Sequence, residues 1–186
     1  MFLPEYLIML DAEMVGVCPE RDALLQVACL KLKLFGTEYK ADRVPFVKYL
    51  QHDGQPTNDF HRTYLQDIFR RCNQSTLTPH QLKIALHEWL GPLKGIVTPA
   101  GDCVMTDLAF LYQHACADRP DIAPNGQPIP GTFHYEAFDI HVLKMLAYQK
   151  MGVKQKPPLL DIEHDALADC FNQTLELNYF IKVLLG

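Results

Sequence analysis

The stretch YLIMLDAEMVGVCPERD, Tyr6 to Asp22, ends an apolar run in two carboxylates, Asp11 and Glu13, two residues apart. Its apolar part reads as a strand over residues 6–11. Side chains alternate faces along a strand, so Asp11 and Glu13 point the same way. Like charges that close repel unless a cation shares them, and carboxylate oxygens are what Mg²⁺ and Mn²⁺ prefer. Alone, the pair reads more readily as the acidic end of a strand running out into solvent.

Working outward, ALLQVACLKLKL, Ala23 to Leu34, alternates apolar residues and predicts a second strand. FGTEY supplies a Gly-containing turn, and DRVPFVKYL predicts a third strand that Pro45 demotes toward an edge. Three strands joined by short turns make an antiparallel meander. DFHRTYLQDIFRRCN and TPHQLKIALHEWLGPL then predict two helices, the second with Thr78 as N-cap, Pro79 at its first position, and Gly91 with Pro92 as a stop. GIVTPAGDCVM is strand-like, and TDLAFLYQHACA predicts a helix capped by Thr106. DRPDIAPNGQPIPG reads as a long surface loop and TFHYEAF as a short strand. DIHVLKMLAYQKMG predicts a helix closed by Gly152, and HDALADCFNQTLELNYFIKVLL a long last one. The order βββ, αα, β, α, β, α, α predicts an α/β fold, a mixed sheet flanked by α-helices.

Of the 186 residues, 48% are hydrophobic and 21% charged, an ordinary globular composition, and one domain over residues 1–186 is expected. The formal net charge of -5 leaves no global basic field for long nucleic acid, so any such contact should be local and short. MFLPEYLIML lacks a basic start and a cleavage site, and reads as a strand rather than a signal peptide. No apolar stretch reaches the roughly 18 residues needed to span a membrane, so a soluble protein is expected. The six cysteines show no CxxC spacing, which argues against a zinc or redox pair and for reduced thiols in the cytoplasm.

Two further features change the weight of the first acids. MTDLAFL places Asp107 in the first turn of a helix, where a charge can simply complement the dipole. EHDALADC places His164 and Asp169 at the start of another helix, where His164 could be a surface cap. Jointly they give Asp-x-Glu, then Asp, then His-x4-Asp: four carboxylates and one candidate general base. Two divalent ions about 3.5–4 Å apart can stabilise the attacking and leaving oxygens of a phosphoryl displacement, and holding them takes several converging carboxylates. A water must still lose its proton, and an imidazole, with an unperturbed pKa near 6.5, suits that task. Asp165 competes with Asp169, but on a helix it points about 100° away from His164, which favours Asp169.

These motifs resemble those of the DEDDh exonucleases. LDAEMVGVCPERDALLQVA is similar to the opening of the oligoribonuclease family, FHYEAFDIHVLKML to a later part of it and HDALADC to its last motif. The likeness covers most of the chain and is specific in the three acidic motifs and in PERD. It implies a ribonuclease H-like fold and a metal-dependent 3′-to-5′ exoribonuclease that releases nucleoside 5′-monophosphates from short single-stranded oligonucleotides. It implies that Asp11, Glu13 and Asp169 hold two Mg²⁺ or Mn²⁺ ions with Asp11 bridging. Asp107 would act on the second ion and His164 as the base. Substrate contacts carried over from the family fall on Met14, Val17 and Phe60. A homodimer is implied too, in which Tyr135 reaches the partner's site, while Asp139 is a structural support.

The family selects very short RNA partly with a polar cap around the 5′ phosphate. The cap's arginine falls here on Glu136 and its serines on Cys103 and His141. A glutamate turns a bidentate attraction for phosphate into a repulsion. The substrate could then be a longer single strand of RNA or DNA, or a dinucleotide held without that cap. Lys150, Lys154 and Lys156 precede His164 and either meet phosphates or form a solvated helix end and loop. His52, His61, His134 and His141 lack ligand spacing, and Trp89, at helical spacing with Leu86, Leu90 and Leu93, reads as core. A DNA-directed exonuclease of the same superfamily is the alternative reading. A silent interaction module is another, against which the five-residue set argues, since pure binding needs no base beside four acids.

Overall fold

The computed structural model describes residues 3–114, 121–122, 128–129, 131–134, 136–162 and 164–186. Its first strand, β1 (Tyr6–Met14), has Leu7 to Leu10 fully buried on both faces, as befits a strand at the centre of a sheet. β2 (Leu24–Phe35) pairs with it antiparallel, and β3 (Glu38–Ala41) turns back on β2 across Gly36, whose φ of 67° a glycine adopts without strain. β4 (Phe46–Tyr49) pairs farther along the same edge of β2.

The segment FGTEY thus contributes a strand as well as a turn, and the expected third strand, DRVPFVKYL, is cut short. At Asp42 the chain leaves the ladder: its backbone N–H donates to the Lys31 carbonyl and its carboxylate meets the Lys31 ammonium at 2.7 Å. β5 (Thr98–Gly101) lies parallel to β1, and β8 (Phe138–Asp139) parallel to β5. The six-stranded sheet runs β3-β2-β1-β5-β8 with β4 beside β2, a mixed sheet of the expected kind.

A π-helical turn, His61–Leu65, leads into α1 (Gln66–Gln74). α2 (Pro79–Leu90) begins at a Thr78–Gln81 capping box with Pro79 in its first turn and stops at Gly91, as its sequence predicts. α3 (Val104–His114) starts two residues before the expected cap. Cys103 takes a left-handed φ of 61° and turns the chain there, so the Thr106 N–H already donates into the first turn.

Two short strands, β6 (Asp121–Ile122) and β7 (Pro128–Ile129), pair within the expected long loop. Among the described residues of the expected strand TFHYEAF, only its end, Phe138, joins the sheet. Its Thr132 and His134 bond instead to the backbone of Gly95 and Val97. α4 (Ile140–Met151) lies between an Asp139 cap and Gly152, and α5 (Ala166–Leu185) is capped by Asp165, which leaves His164 outside the helix.

Alternation along β1 sorts the layers. Ile8, Leu10 and Ala12 join Val27 and Cys29 against α2 and α3, while Leu7 and Met9 join Ala28, Leu30 and Leu32 against α4 and α5. Asp11 and Glu13 continue the second set and so face α5. Trp89 is at the rim of the first layer rather than inside it, half-buried, with its indole N–H donating to the Val44 carbonyl at 2.9 Å. No helix among the described residues is long and apolar enough to cross a membrane.

Candidate active site

Where β1 ends, its pairing with β2 slips: Glu13 faces Gln26, but Met14 faces Leu24. The extra residue, Leu25, turns into a separate cluster with Leu65, Ile68, Phe69 and Cys72 of the π turn and α1. Such a bulge bends a strand and re-aims the side chains beside it. Here it lies beside Glu13. Beyond it, Gly16 leaves room for the Asp22 carboxylate, which accepts the Cys18 N–H at 2.8 Å and holds the loop back.

Gln26 fixes α5 against the sheet. Its side-chain amide donates to Asp165 at 3.1 Å, and its carbonyl oxygen accepts the Ala166 N–H at 3.1 Å. Asp165 caps the helix by accepting the N–H groups of Leu167 and Ala168, both at 3.1 Å. Asp169, one turn on, is thereby aimed at β1. The carboxylate oxygens of Asp11, Glu13 and Asp169 come within 4.8 Å of one another. Asp107, on the opposite side of the sheet, is buried at 7% exposure and bonds to the backbone of Ala12.

The electrostatics follow from that crowding. Burial and then the Asp169 charge raise the Asp11 carboxyl to about 8, against a hydrogen bond from Gln173 that lowers it. Burial and the Asp11 charge raise Glu13 to about 9. Burial and Asp11 push Asp107 well above the usual carboxylate range. An all-oxygen donor set that resists ionisation in this way fits a divalent cation, whose charge removes the repulsion.

His164, in the turn just before the Asp165 cap of α5, takes a left-handed φ of 57°. Its ring packs edge-on against Phe60 at 4.8 Å and Tyr64 at 4.7 Å between centroids, and it lines a cavity of about 500 Å³ with Ile162 and Phe171. Of the substrate contacts carried over, Met14 is half-buried, Val17 is 85% exposed, and Phe60 walls His164. Tyr135 lies outside the described residues. Glu136 is exposed. Two of the three lysines, though exposed, have partners on the protein: Lys150 donates to the Leu184 carbonyl at 3.2 Å, and Lys156 meets Glu176 at 3.2 Å. Lys154 is exposed.

Sequence reasoning missed Gln173, Gln26 and Tyr64. The Gln173 amide donates to Asp11 at 2.7 Å, and its carbonyl accepts the Asp102 N–H at 3.1 Å. Gly101 makes space for it, since a Cβ there would lie 3.3 Å from the Gln173 oxygen and 2.8 Å from the Leu10 carbonyl. Gln173 was within reach of the sequence, because it stands four residues after Asp169 on the same helix face. Among the histidines without ligand spacing, His61 is buried and bonds the Val15 carbonyl at 2.8 Å, steadying the loop after β1.

No family model matches the chain. It is 26% identical over 193 residues to the oligoribonuclease of Paracidovorax citrulli, covering 96% of this chain and 89% of that protein. To the oligoribonuclease of Escherichia coli K12 it is 27% identical over 187 residues, covering 94% and 92%. Among solved structures it is similar to E. coli exonuclease I in complex with a dT13 oligonucleotide, with a TM-score of 0.61 and 13% identity over 95% of this chain and 41% of that one. Exonuclease I from Methylocaldum szegediense gives 0.61 and 17%, over 91% and 38%. The chain thus spans about two fifths of the exonuclease I chains. The fold is the ribonuclease H-like α/β fold of these enzymes, and the similarity to oligoribonucleases read from the acidic motifs holds along nearly the whole chain. Together these relatives support a hydrolase of the 3′–5′ exonuclease type.

Proposed function

We propose that the chain is a single exonuclease domain that removes nucleotides from the 3′ end of short single-stranded RNA and releases nucleoside 5′-monophosphates. The observation that carries this reading is the meeting of Asp11, Glu13 and Asp169 from opposite ends of the chain, with Asp107 reaching the Ala12 backbone from the other face of the sheet. The three clustered carboxylates would hold Mg²⁺ or Mn²⁺, with Asp107 serving a second ion. Bound there, the ions supply a more acidic water and offset the charge that builds on the scissile phosphate.

The chain's own groups do the rest. Gln173 keeps Asp11 in place through its 2.7 Å hydrogen bond. His164, its ring steadied by Phe60 and Tyr64, accepts the proton of the attacking water on a ring nitrogen. Met14 and exposed Val17 offer an apolar floor for the terminal base, and Phe60 a ring for it to stack on.

The test is a digestion of short 5′-labelled RNA and DNA oligomers, from dinucleotides upward, with Mg²⁺ or Mn²⁺ and then with a chelator. Shortening from the 3′ end that the chelator stops is expected. No shortening with either metal sinks the enzyme reading. The dT13 complex of exonuclease I favours a second reading, a DNA-directed enzyme, and DNA cleaved while RNA is spared would select it. Accumulating dinucleotides are expected if Glu136 has cost the site its hold on a 5′ phosphate.

A homodimer, read from the family, is supported by Val142, Met145 and Leu146, which expose an apolar stripe at helical spacing along α4. Met145→Glu together with Leu146→Glu should give a monomer by light scattering; an unchanged mass removes this face from the dimer. A cytoplasmic location accords with the thiols of Cys18, Cys29, Cys72, Cys103 and Cys170, all free.

A further inference from the structure

Away from the acidic centre, the turn after β5 meets the start of α4. There Cys103 Sγ is 3.9 Å from Asp102 Oδ1, and the same oxygen is 3.2 Å from His141 Nδ1. One donor atom from each of the three residues lies within 4.8 Å of the others. We propose that Asp102, Cys103 and His141 form a second metal site, which takes one thiophilic divalent ion of the zinc class.

Three arguments favour a cation of that kind. The first is geometric. Zinc binds sulfur at about 2.3 Å and nitrogen or oxygen at about 2.0–2.2 Å, so the edges of its tetrahedron are about 3.3–3.7 Å. The two separations, 3.9 and 3.2 Å, straddle that range and need only side-chain adjustment on an exposed surface. The second is chemical: one thiol, one imidazole and one carboxylate make a softer set than the all-oxygen acidic centre, and soft donors select zinc over magnesium.

The third argument is electrostatic. Two helix N-termini converge here, which alone would favour an anion, but Asp139 already accepts the N–H groups of Cys103 and His141, at 3.3 and 2.8 Å. The Lys144 ammonium on the outer oxygen of Asp102 also meets Glu176 at 3.1 Å, which it shares with Lys156 at 3.2 Å, so these two lysines and the carboxylates of Asp102, Asp139 and Glu176 still leave one net negative charge. Asp102 and Asp139 therefore leave the turn acidic, and an ion that takes the thiolate finds it compensated. A phosphate would meet two carboxylates instead. The site is also wired to the other one, because the Asp102 N–H bonds Gln173, which holds Asp11.

The test is a Co²⁺ titration of the whole protein, reduced with a phosphine and kept in excess Mg²⁺, following the thiolate-to-cobalt charge-transfer band. One equivalent should saturate the band, and Zn²⁺ should bleach it. The band should survive in Cys18→Ser and Asp11→Ala, disappear in Cys103→Ser, and need at least about tenfold more cobalt in His141→Ala. No band in the wild type, a band that persists in Cys103→Ser, or an unchanged midpoint in His141→Ala would each overturn the proposal. None of these readouts depends on nuclease activity.

Discussion

Asp11 is the residue on which most of the site's energetics converge: it is largely buried at the strand's end, crowded by Asp169, and held by Gln173. Asp11→Asn keeps the shape and an oxygen that can accept the Gln173 hydrogen bond, but removes the charge. Turnover should fall by at least about a hundredfold. In chelator near neutral pH, the same variant should melt at a higher temperature than the wild type, because a repelling group has gone. A lower melting point would show that the cluster does not strain the metal-free fold.

Gln173→Ala should leave the melting point nearly unchanged and raise the metal concentration for half-activity by about 10–100-fold, the usual cost of losing a residue that orients a ligand. An unmoved midpoint would leave Gln173 as packing only. Asp11 and Glu13 could be read from the sequence, since two residues on one strand face share a neighbourhood whatever the fold. Gln173 could not be read with the same force. Its helix position was visible, but nothing local says which strand lies opposite.

At the scale of elements, caps and turns do the aiming. Asp165 was expected to be a losing rival of Asp169 for the metal; it is the cap that sets where α5 begins. Asp165→Ala should cost about 1 kcal/mol of stability through the lost cap. It also frees the His164 turn, so kcat should fall while the metal midpoint holds, as steady-state assays across a metal titration would reveal. Equal loss in kcat and metal affinity would mean that Asp165 acts on the acids directly. The helices were legible wherever caps and stops were local, as with Thr78, Pro79 and Gly91 of α2. They were misread at Cys103, because a left-handed turn at a non-glycine is imposed by its surroundings, here Asp139 accepting its N–H. On the far edge of β2, the strand before Asp42 was missed and the one after it begun too early for a related reason, as the break at Asp42 is set by Lys31 on another strand.

For the molecule as a whole, the site is a meeting of β1, α3 and α5, and its cost in the metal-free state is shared by the entire fold. Asp11 at about 8 and Glu13 at about 9 lie far above their ordinary 3.8 and 4.5, so the folded protein binds more protons than the unfolded chain between about pH 4 and 9. Stability from these groups is therefore fully present below their ordinary values and is lost as pH rises toward 8 and 9. A bound cation reverses the repulsion and must displace those protons. The rise in melting temperature on adding Mn²⁺ should accordingly be larger near pH 8 than near pH 5, by thermal melts with and without chelator. An increment independent of pH would mean that the ion does not sit among these carboxylates.

The amino-acid sequence by itself determined the periodicities, the strands and helices they encode, and the kinds of acid and base present. Each of those depends on residues a few positions apart. Only the tertiary structure decided that Asp102, Cys103 and His141 share one corner, that aromatic rings hold His164, and that Gln173 ties two clusters together. Those proximities arise from packing helices on both faces of a twisted sheet, which brings residues far apart in the chain within hydrogen-bonding distance and which no local pattern records.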